Sequence, residues 1–284
     1  MSKPKILIQL DSDAQPSVFD GVVAVDAGVD QLFRHGGVTE SQVQGLVHGA
    51  MFTRGPKDLQ NTAVFIGGSD VAVGESLLRA ATNSFFGPVR VSVMLDANGS
   101  NTTAAAAVVA AGRHIDLANA NTLVLGATGP VGQRVVRLLA GAGAHVKVAS
   151  RSAERAQDVV NRVAEVLDNH QMVAVSSSDS DLTHDVDLVI AAGAAGVELM
   201  AGDVLSASSI KVAIDLNAVP PAGIGGIGVM DAAAVKAGKV VYGAIGVGGT
   251  KMKIHKAAIA RIFDANDHVL DIDEIYQLGL ALEQ

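Results

Sequence analysis

Cysteine and tryptophan are absent from this 284-residue chain. The missing thiols exclude disulfides, thiolate nucleophiles, iron–sulfur clusters and every zinc site that uses cysteine. Aromatic residues make up only 3%, so the core must be built from Ala, Val, Ile and Leu. Basic residues number 21 against 29 acidic ones, a net charge of −8, with no Lys/Arg block. A chain of that balance is not expected to grip a phosphate backbone, so no nucleic-acid partner is expected. The longest strongly apolar stretch, Ala104–Ala111, falls far short of the ~20 residues that span a bilayer. Ile6–Leu10 is too short for a signal-peptide core and ends at Asp11. These absences lead to the expectation of a soluble, cytoplasmic protein with no membrane partner.

Glycine, by contrast, is abundant at 31 residues, and hydrophobic residues reach 49% against 18% charged. That balance supports a large core, and a prior of ~150 residues per domain gives two domains. Glycines at this density point to tight turns, close helix packing or backbone that approaches a ligand.

The first third alternates strand-like and helix-like pieces. Lys5–Leu10, Ala63–Ile66 and Arg90–Leu95 read as strands. Thr39 and Gln42 have capping-box spacing and open a helix to about Met51. Ser69 or Asp70 caps a second helix, Val71–Phe85. This β-α-β-α-β order predicts a parallel sheet covered by helices. A polar segment, Asp96–Thr103, leads into an Ala-rich helix, Ala104–His114, read as a bridge between two domains.

From Asn121 the alternation is more regular. Strands are predicted at Thr122–Leu125, His145–Ala149, Met172–Ser176, Asp187–Ala192, Lys211–Leu216 and Val240–Ala244. Helices are predicted near Gly132–Ala142, Ala153–Leu167, Gly196–Leu205 and Ala232–Ala237. Six strands with crossovers fit a doubly wound Rossmann sheet. Two further helices, Thr250–Phe263 and Asp271–Leu282, close the chain. The fold class expected is therefore α/β, an N-terminal α/β domain with a parallel sheet plus a Rossmann domain, with a cleft between them. The expected division is residues 1–98, with helices from about 264 to 284 packing back, and residues 99–263.

The motif with the clearest chemistry is Gly126-Ala127-Thr128-Gly129-Pro130-Val131-Gly132, set between a strand and a helix. Gly126 permits the sharp turn, Gly129 admits a pyrophosphate, and Gly132 lets helix and strand pack closely. Free N–H groups at the helix start, with the positive end of its dipole, suit the anion. The purely structural alternative is a glycine turn. At the end of the next strand an NAD site usually carries a carboxylate for the ribose 2′-OH. Here Ser150-Arg151-Ser152 stand instead, a guanidinium between two hydroxyls, which suits the 2′-phosphate of NADP. The plainer reading makes Arg151 a solvated residue and Ser152 a helix cap.

In an open parallel sheet, ligands sit outside the carboxyl ends of the strands. That places Ala192, Gly193, Asn217 and the loop of Pro220, Pro221, Gly223, Gly225 and Gly226 near the ribose-nicotinamide half, with Asp215 structural. Lys251 follows Gly246-Val247-Gly248-Gly249-Thr250, read as a glycine-rich turn opening a helix. A lysine there opposes the helix dipole, and a broken local rule marks a functional candidate. Lys253 is its rival, about 200° around the helix. Asn98–Thr103 gathers hydroxyls, amides and free N–H groups at a helix start, where ordinary capping by Ser100 or Asn101 is the plain alternative. Scattered histidines, and the absence of HExxH, G-x-S-x-G or a Ser-His-Asp arrangement, argue against metal ligation and hydrolytic chemistry.

Several blocks together resemble one family. They are Pro16–Asp20 (PSVFD), Phe85–Ala106, Gly126–Gly132, Asn217–Ile227 (NAVPPAGIGGI), Gly243–Ala257 and Asp273–Tyr276 (DEIY). The chain is similar over nearly its whole length to the bacterial NADP-dependent methylene-tetrahydromethanopterin dehydrogenases of methylotrophic one-carbon metabolism. One departure is Ala127, where the family often has glycine. The resemblance implies hydride transfer from methylene-tetrahydromethanopterin to NADP, giving the methenyl form, with methylene-tetrahydrofolate accepted by some members. It implies a homo-oligomer, a trimer or a multiple of it. It carries Lys251 and Thr102 over as active-site residues.

A pterin presents an amino group and a ring N–H that pair with a carboxylate, and its flat ring stacks on an aromatic. Phe19 and Asp20 supply both, with Asp96 as a competing carboxylate and Asn98 and Ser100 as further substrate contacts. Arg54 and Lys57 could meet an anionic pterin side chain. Hydride loss from a carbon between two nitrogens gives a delocalised cation and releases no proton, so no general base is required. Two other readings remain: a methylene-tetrahydrofolate or shikimate-type dehydrogenase, and a non-catalytic NADP(H)-binding module.

Overall fold

The computed structural model describes residues 3–168 and 170–284. The chain divides into two compact units, one running up to Thr102 and resuming at Met252–Gln284, the other Thr103–Lys251.

The first unit opens with β1 (Ile6–Asp11), α1 (Val18–Asp26), β2 (Gln31–His35), α2 (Glu40–Phe52), β3 (Thr62–Gly67), α3 (Val71–Asn83) and β4 (Ser92–Leu95). β3 and β4 are buried along their whole length, as near-continuous apolar runs in a covered parallel sheet should be. The expected caps form. Thr39 donates its N–H to Gln42 Oε1 at 2.8 Å, and Asp70 accepts from the N–H groups of Ala72 and Val73. α1 and β2 carry no clear sequence signal, because α1 is a nine-residue, almost wholly apolar helix and β2 is largely exposed. α4 (Ser100–Gly112) begins four residues before the predicted Ala104 and ends at Gly112, because Asp96 caps it. The unit boundary falls inside it.

The second unit carries β5 (Asn121–Leu125), α5 (Pro130–Gly141), β6 (His145–Ser150), α6 (Ala153–Ala164), β7 (Gln171–Ser176), β8 (Leu188–Ala191), α7 (Gly202–Ala207), β9 (Val212–Asp215), β10 (Ala234–Lys236) and β11 (Lys239–Tyr242). The sheet order is β10-β11-β9-β8-β5-β6-β7. Read from β5, the parallel strands follow the doubly wound order, with the switch point between β5 and β8. Leu123, Leu125, Val189, Ala191 and Ala213 share one core cluster beneath that switch point.

Two corrections apply here. Ala232–Ala237 is not helical: β10 pairs antiparallel with β11 across Ala237 and Gly238, both at positive φ, so a tight hairpin turn overrides alanine's helix propensity. Of the predicted Gly196–Leu205 helix only Gly202–Leu205 forms, as part of α7, since Gly196 is at positive φ.

A third correction bears on the site. α8 (Ala244–Arg261) begins six residues before the predicted Thr250, so the glycine run before Lys251 is helix, not turn. Gly246, and Gly243 just before the helix, serve close approach: a Cβ on Gly243 would collide with the Gly228 carbonyl, and one on Gly246 with the Asp231 carbonyl. Lys251 therefore lies inside a helix, and its supposed conflict with the dipole at a helix start does not arise. β12 (Val269–Leu270) and α9 (Ile272–Ala281) complete the first unit, whose all-parallel sheet runs β12-β4-β3-β1-β2. The expected divisions at 98/99 and 263/264 move to 102/103 and 251/252. The cause is the second half of α8: His255 stacks on Phe65 of β3 and Lys256 pairs with Asp26 at 3.0 Å.

Candidate functional site

In the second unit the glycine loop lies at the carboxyl end of β5. Gly126 has φ +69, and an added Cβ would lie 2.6 Å from Gly193 Cα, so this turn and the Ala192–Gly193 segment fit only because both are glycine at the contact. Gly132 is buried, and a Cβ there would lie 2.6 Å from the Gly126 carbonyl oxygen. Gly129 has ordinary clearance, its nearest neighbours 3.6 Å from a would-be Cβ. Pro130 opens α5 without an N–H to leave unmet, Val131 follows, and Gln133 Nε2 donates to the Thr128 carbonyl at 2.7 Å. A loop closed from below and open at Gly129 is the shape a pyrophosphate needs, so the residues fit a nicotinamide dinucleotide.

At the end of β6, Ser150 is buried, Arg151 is exposed, and Ser152 caps α6 by accepting the Arg155 N–H. The plain reading of Ser152 therefore holds, while Arg151 projects without a structural task. If Arg151 meets a 2′-phosphate, Arg151→Ala raises the KM for NADP by about tenfold and leaves that for NAD within about twofold. Parallel steady-state assays with the two cofactors check this; equal loss with both would refute the role.

The β9 loop is fastened by Asp215, which is 1% exposed. Its carboxylate accepts from the N–H groups of Asn217 (3.0 Å), Gly223 (2.7 Å) and Ile224 (3.2 Å). Asn217 in turn donates to the Pro221 carbonyl and accepts from Val219. Its side chain thus shapes the loop it was expected to use for binding. Burial pushes the Asp215 carboxyl above the usual value, opposed by those backbone donors.

Lys251 Nζ donates to Thr103 Oγ1 at 2.8 Å, both within the second unit. Next to it, Arg113 donates to Thr250 Oγ1 at 3.0 Å. Thr102, the residue carried over by resemblance, is fully buried and donates to Asp96 Oδ2 at 2.7 Å. The hydroxyl that meets Lys251 belongs to the next residue. Sequence reasoning did not single out Thr103 because a Thr-Thr pair gives no sign of which hydroxyl is buried on Asp96 and which meets Lys251.

In the first unit, Asp96 is 1% exposed and caps α4, accepting the N–H groups of Asn101 and Thr102 at 3.0 Å each. The N–H groups expected to be free there are thus taken. Asn101 also donates to the Leu95 carbonyl and to Asp271. Ser100 is buried and donates to the Ala97 carbonyl, whereas Asn98 is exposed at φ 53. Arg54 donates to the carbonyls of Pro4 and Asn61, so it is a strut, and Lys57 is exposed.

Phe19 and Asp20 stand on the first turn of α1, with Phe19 51% exposed. His255, fully buried, stacks on Phe65 (centroids 5.8 Å, 19°) and lies 6.1 Å from the Phe19 ring. Its Nε2 is 4.0 Å from Asp20 Oδ1. A Cβ on Gly67, at the end of β3, would lie 3.6 Å from Asp20 Oδ2, so the carboxylate reaches the carboxyl ends of this sheet. His255 escaped the sequence reading. Its signal was its spacing, four residues after Lys251 on one helix, one turn away.

Among the described residues, no cluster of His, Cys, Asp or Glu could hold a metal. No helix described is long and apolar enough to cross a membrane.

The Rossmann unit and its glycine loop define a nicotinamide-nucleotide oxidoreductase. Solved structures agree on the fold: quinate dehydrogenase from Corynebacterium glutamicum in complex with NAD superposes with a TM-score of 0.56 at 12% identity, covering 98% of this chain and 100% of that one. A 5-ketofructose reductase from Gluconobacter gives 0.51 at 16%, covering 99% of each. Residues 121–219 match the family described as semialdehyde dehydrogenase, NAD binding domain. Residues 18–98 match methylene-tetrahydromethanopterin dehydrogenase, N-terminal. Over 98% of its length the chain is 45% identical to 99% of the bifunctional protein MdtA of Methylorubrum extorquens. It is 30% identical to the NAD(P)-dependent methylenetetrahydromethanopterin dehydrogenase of that organism, over 94% of each. The chain belongs to the methylene-tetrahydromethanopterin dehydrogenase family.

Proposed function

We propose that this protein oxidises methylene-tetrahydromethanopterin to the methenyl form with NADP, within one-carbon (formaldehyde) metabolism. The observation that carries the mechanism is the Lys251–Thr103 pair in a chain related along its whole length to such enzymes. The bound nicotinamide supplies the hydride acceptor. Gly126, Thr128, Gly129, Pro130, Val131 and Gly132 receive the pyrophosphate, Arg151 the 2′-phosphate between Ser150 and the capping Ser152, and Ala192, Gly193 and the loop shaped by Asn217 the ribose-nicotinamide half. For the pterin, Asp20 accepts from the amino group and ring N–H, and the exposed Phe19 ring offers a stacking face.

Lys251 donates to the pterin and orients it, with Thr103 fixing the position of Nζ. A fixed charge beside a developing cation would oppose the reaction, so orientation rather than charge is its contribution. Thr102, held by Asp96, supports the backbone that presents Thr103. No residue is required to take a proton. The protein works in the cytoplasm as a homo-oligomer, a trimer or a multiple of it.

The test is an absorbance assay at the NADPH band, with methylene-tetrahydromethanopterin and methylene-tetrahydrofolate each offered with NAD and NADP. Turnover is expected with the methanopterin and NADP. Absence of reduction with either pterin sinks the proposal.

A further inference from the structure

β2 is an exposed edge strand, and nothing in sheet formation asks for a guanidinium on it. Arg34 is nevertheless the hub of a network. Its Nε donates to Gln9 Oε1 at 3.0 Å, and its Nη2 donates to the carbonyls of Pro16 and of Ser17, the latter at 2.7 Å. Gln9, 1% exposed, donates through Nε2 to Asp11 Oδ2. Asp11, fully buried, accepts from the N–H groups of Asp13 (2.9 Å) and Ser17 (3.1 Å). The network closes on Ser17, the N-cap of α1. Its N–H is held by Asp11, its carbonyl by Arg34, and its Oγ accepts the Asp20 N–H at 3.3 Å.

The arrangement works against the helix it serves. A cation at a helix N-terminus opposes the dipole. The first intrahelical bond, Gly21 N–H to Ser17 carbonyl, is 3.3 Å, while Arg34 reaches the same oxygen at 2.7 Å. A Cβ on Gly21 would lie 3.6 Å from Arg34 Cζ, so the guanidinium packs against the first turn. What this fixes is the direction in which that turn leaves the sheet, and the turn carries Phe19 and Asp20.

We infer that Arg34, acting through Gln9, Asp11 and the Ser17 cap, is a positioning residue for Phe19 and Asp20 and so sets the affinity for the reduced pterin. The inference rests on the pterin role proposed for those two residues. Arg34→Met keeps the apolar stem and removes every donor at an exposed position. It should raise the KM for the methylene pterin about tenfold, with kcat and the KM for NADP within about twofold. Arg34→Lys, able to reach one carbonyl but not three acceptors, should fall between, and it decides the matter if the methionine variant does not fold. A merely structural arginine would lower the active fraction, so kcat would fall while both KM values stayed put. That pattern, or an unchanged pterin KM, overturns the inference while wild-type turnover leaves the function standing. Absence of wild-type turnover with any methylene pterin defeats the functional reading itself, and the inference with it.

Discussion

Lys251→Ala lowers kcat for the methylene pterin by roughly a hundredfold or more, with the Kd for NADP within about twofold. The reason lies in what the reaction needs. No proton leaves the substrate, so the rate depends on how well the donor carbon is placed. Lys251 sits on α8, and its Nζ donates a 2.8 Å hydrogen bond to Thr103 Oγ1 on α4. A side chain located this firmly contributes through orientation, and orientation errors of about 1 Å can cost ~100-fold. Thr103→Val should give a smaller loss in the same direction, because it removes one hydrogen bond that positions Nζ without removing Nζ itself. Thr102→Val should differ from Thr103→Val by lowering stability more than kcat, since its hydroxyl is bonded to buried Asp96. Stopped-flow hydride transfer, together with cofactor binding by fluorescence, measures these quantities. A Lys251→Ala enzyme within about threefold of wild-type kcat would end the case for this lysine.

Asp215→Asn should destabilise the protein by about 3 kcal/mol and weaken cofactor binding along with it. Three backbone N–H groups converge on the Asp215 carboxylate. An amide can offer one oxygen, so its NH2 must face at least one buried donor, and each buried group left unmet costs ~1–3 kcal/mol. The loop so released is the one that carries Asn217. In a two-state melt, a loss of this size lowers Tm by roughly 6–12 °C. An Asn variant that melts with wild type would show that the donors find other partners.

The same carboxylate has a pH signature. Its folded value lies above the unfolded one because burial outweighs the backbone donors. Its contribution to stability is therefore fully present below the unfolded value, ~3.9, and is lost as pH rises through the folded value. The Asn variant lacks that component, and denaturant melts across the acidic range resolve it.

How much of this was readable beforehand depended on the span of the interaction concerned. The capping box at Thr39 and the Asp70 cap involve residues no more than three apart, and both form as the sequence indicates. The buried strands of both sheets were legible because an apolar run between turn residues has few other uses. β2 was not, because an exposed edge strand carries no such run. The helix predicted over Ala232–Ala237 failed where a two-residue turn at Ala237-Gly238 competed with alanine propensity, and pairing with β11 decided between them. The start of α8 failed for a related reason. Glycines signal turns locally, yet Gly243 and Gly246 are there to let a helix lie against the 228–231 backbone.

The site divides along the same line. Gly126, Gly129 and Gly132 were identified from spacing alone, since a tight turn and a helix start dictate where glycine must fall. Lys251 was singled out by the resemblance and by a dipole argument that the longer helix removes. Thr103 was not distinguishable from Thr102, nor could His255 be tied to Phe65 and Asp20, because those relations join residues more than a hundred positions apart.

By itself the sequence determined the α/β class, the nucleotide loop, the absence of thiol chemistry and the family, because each depends on composition or on residues adjacent in the chain. Only the tertiary structure decided which hydroxyl meets Lys251, which carboxylates fasten backbone turns, and that Arg34 on an edge strand bonds the first turn of α1. Those outcomes depend on which side chains fill the same few ångströms of space, and packing, unlike spacing, is not written in any one segment.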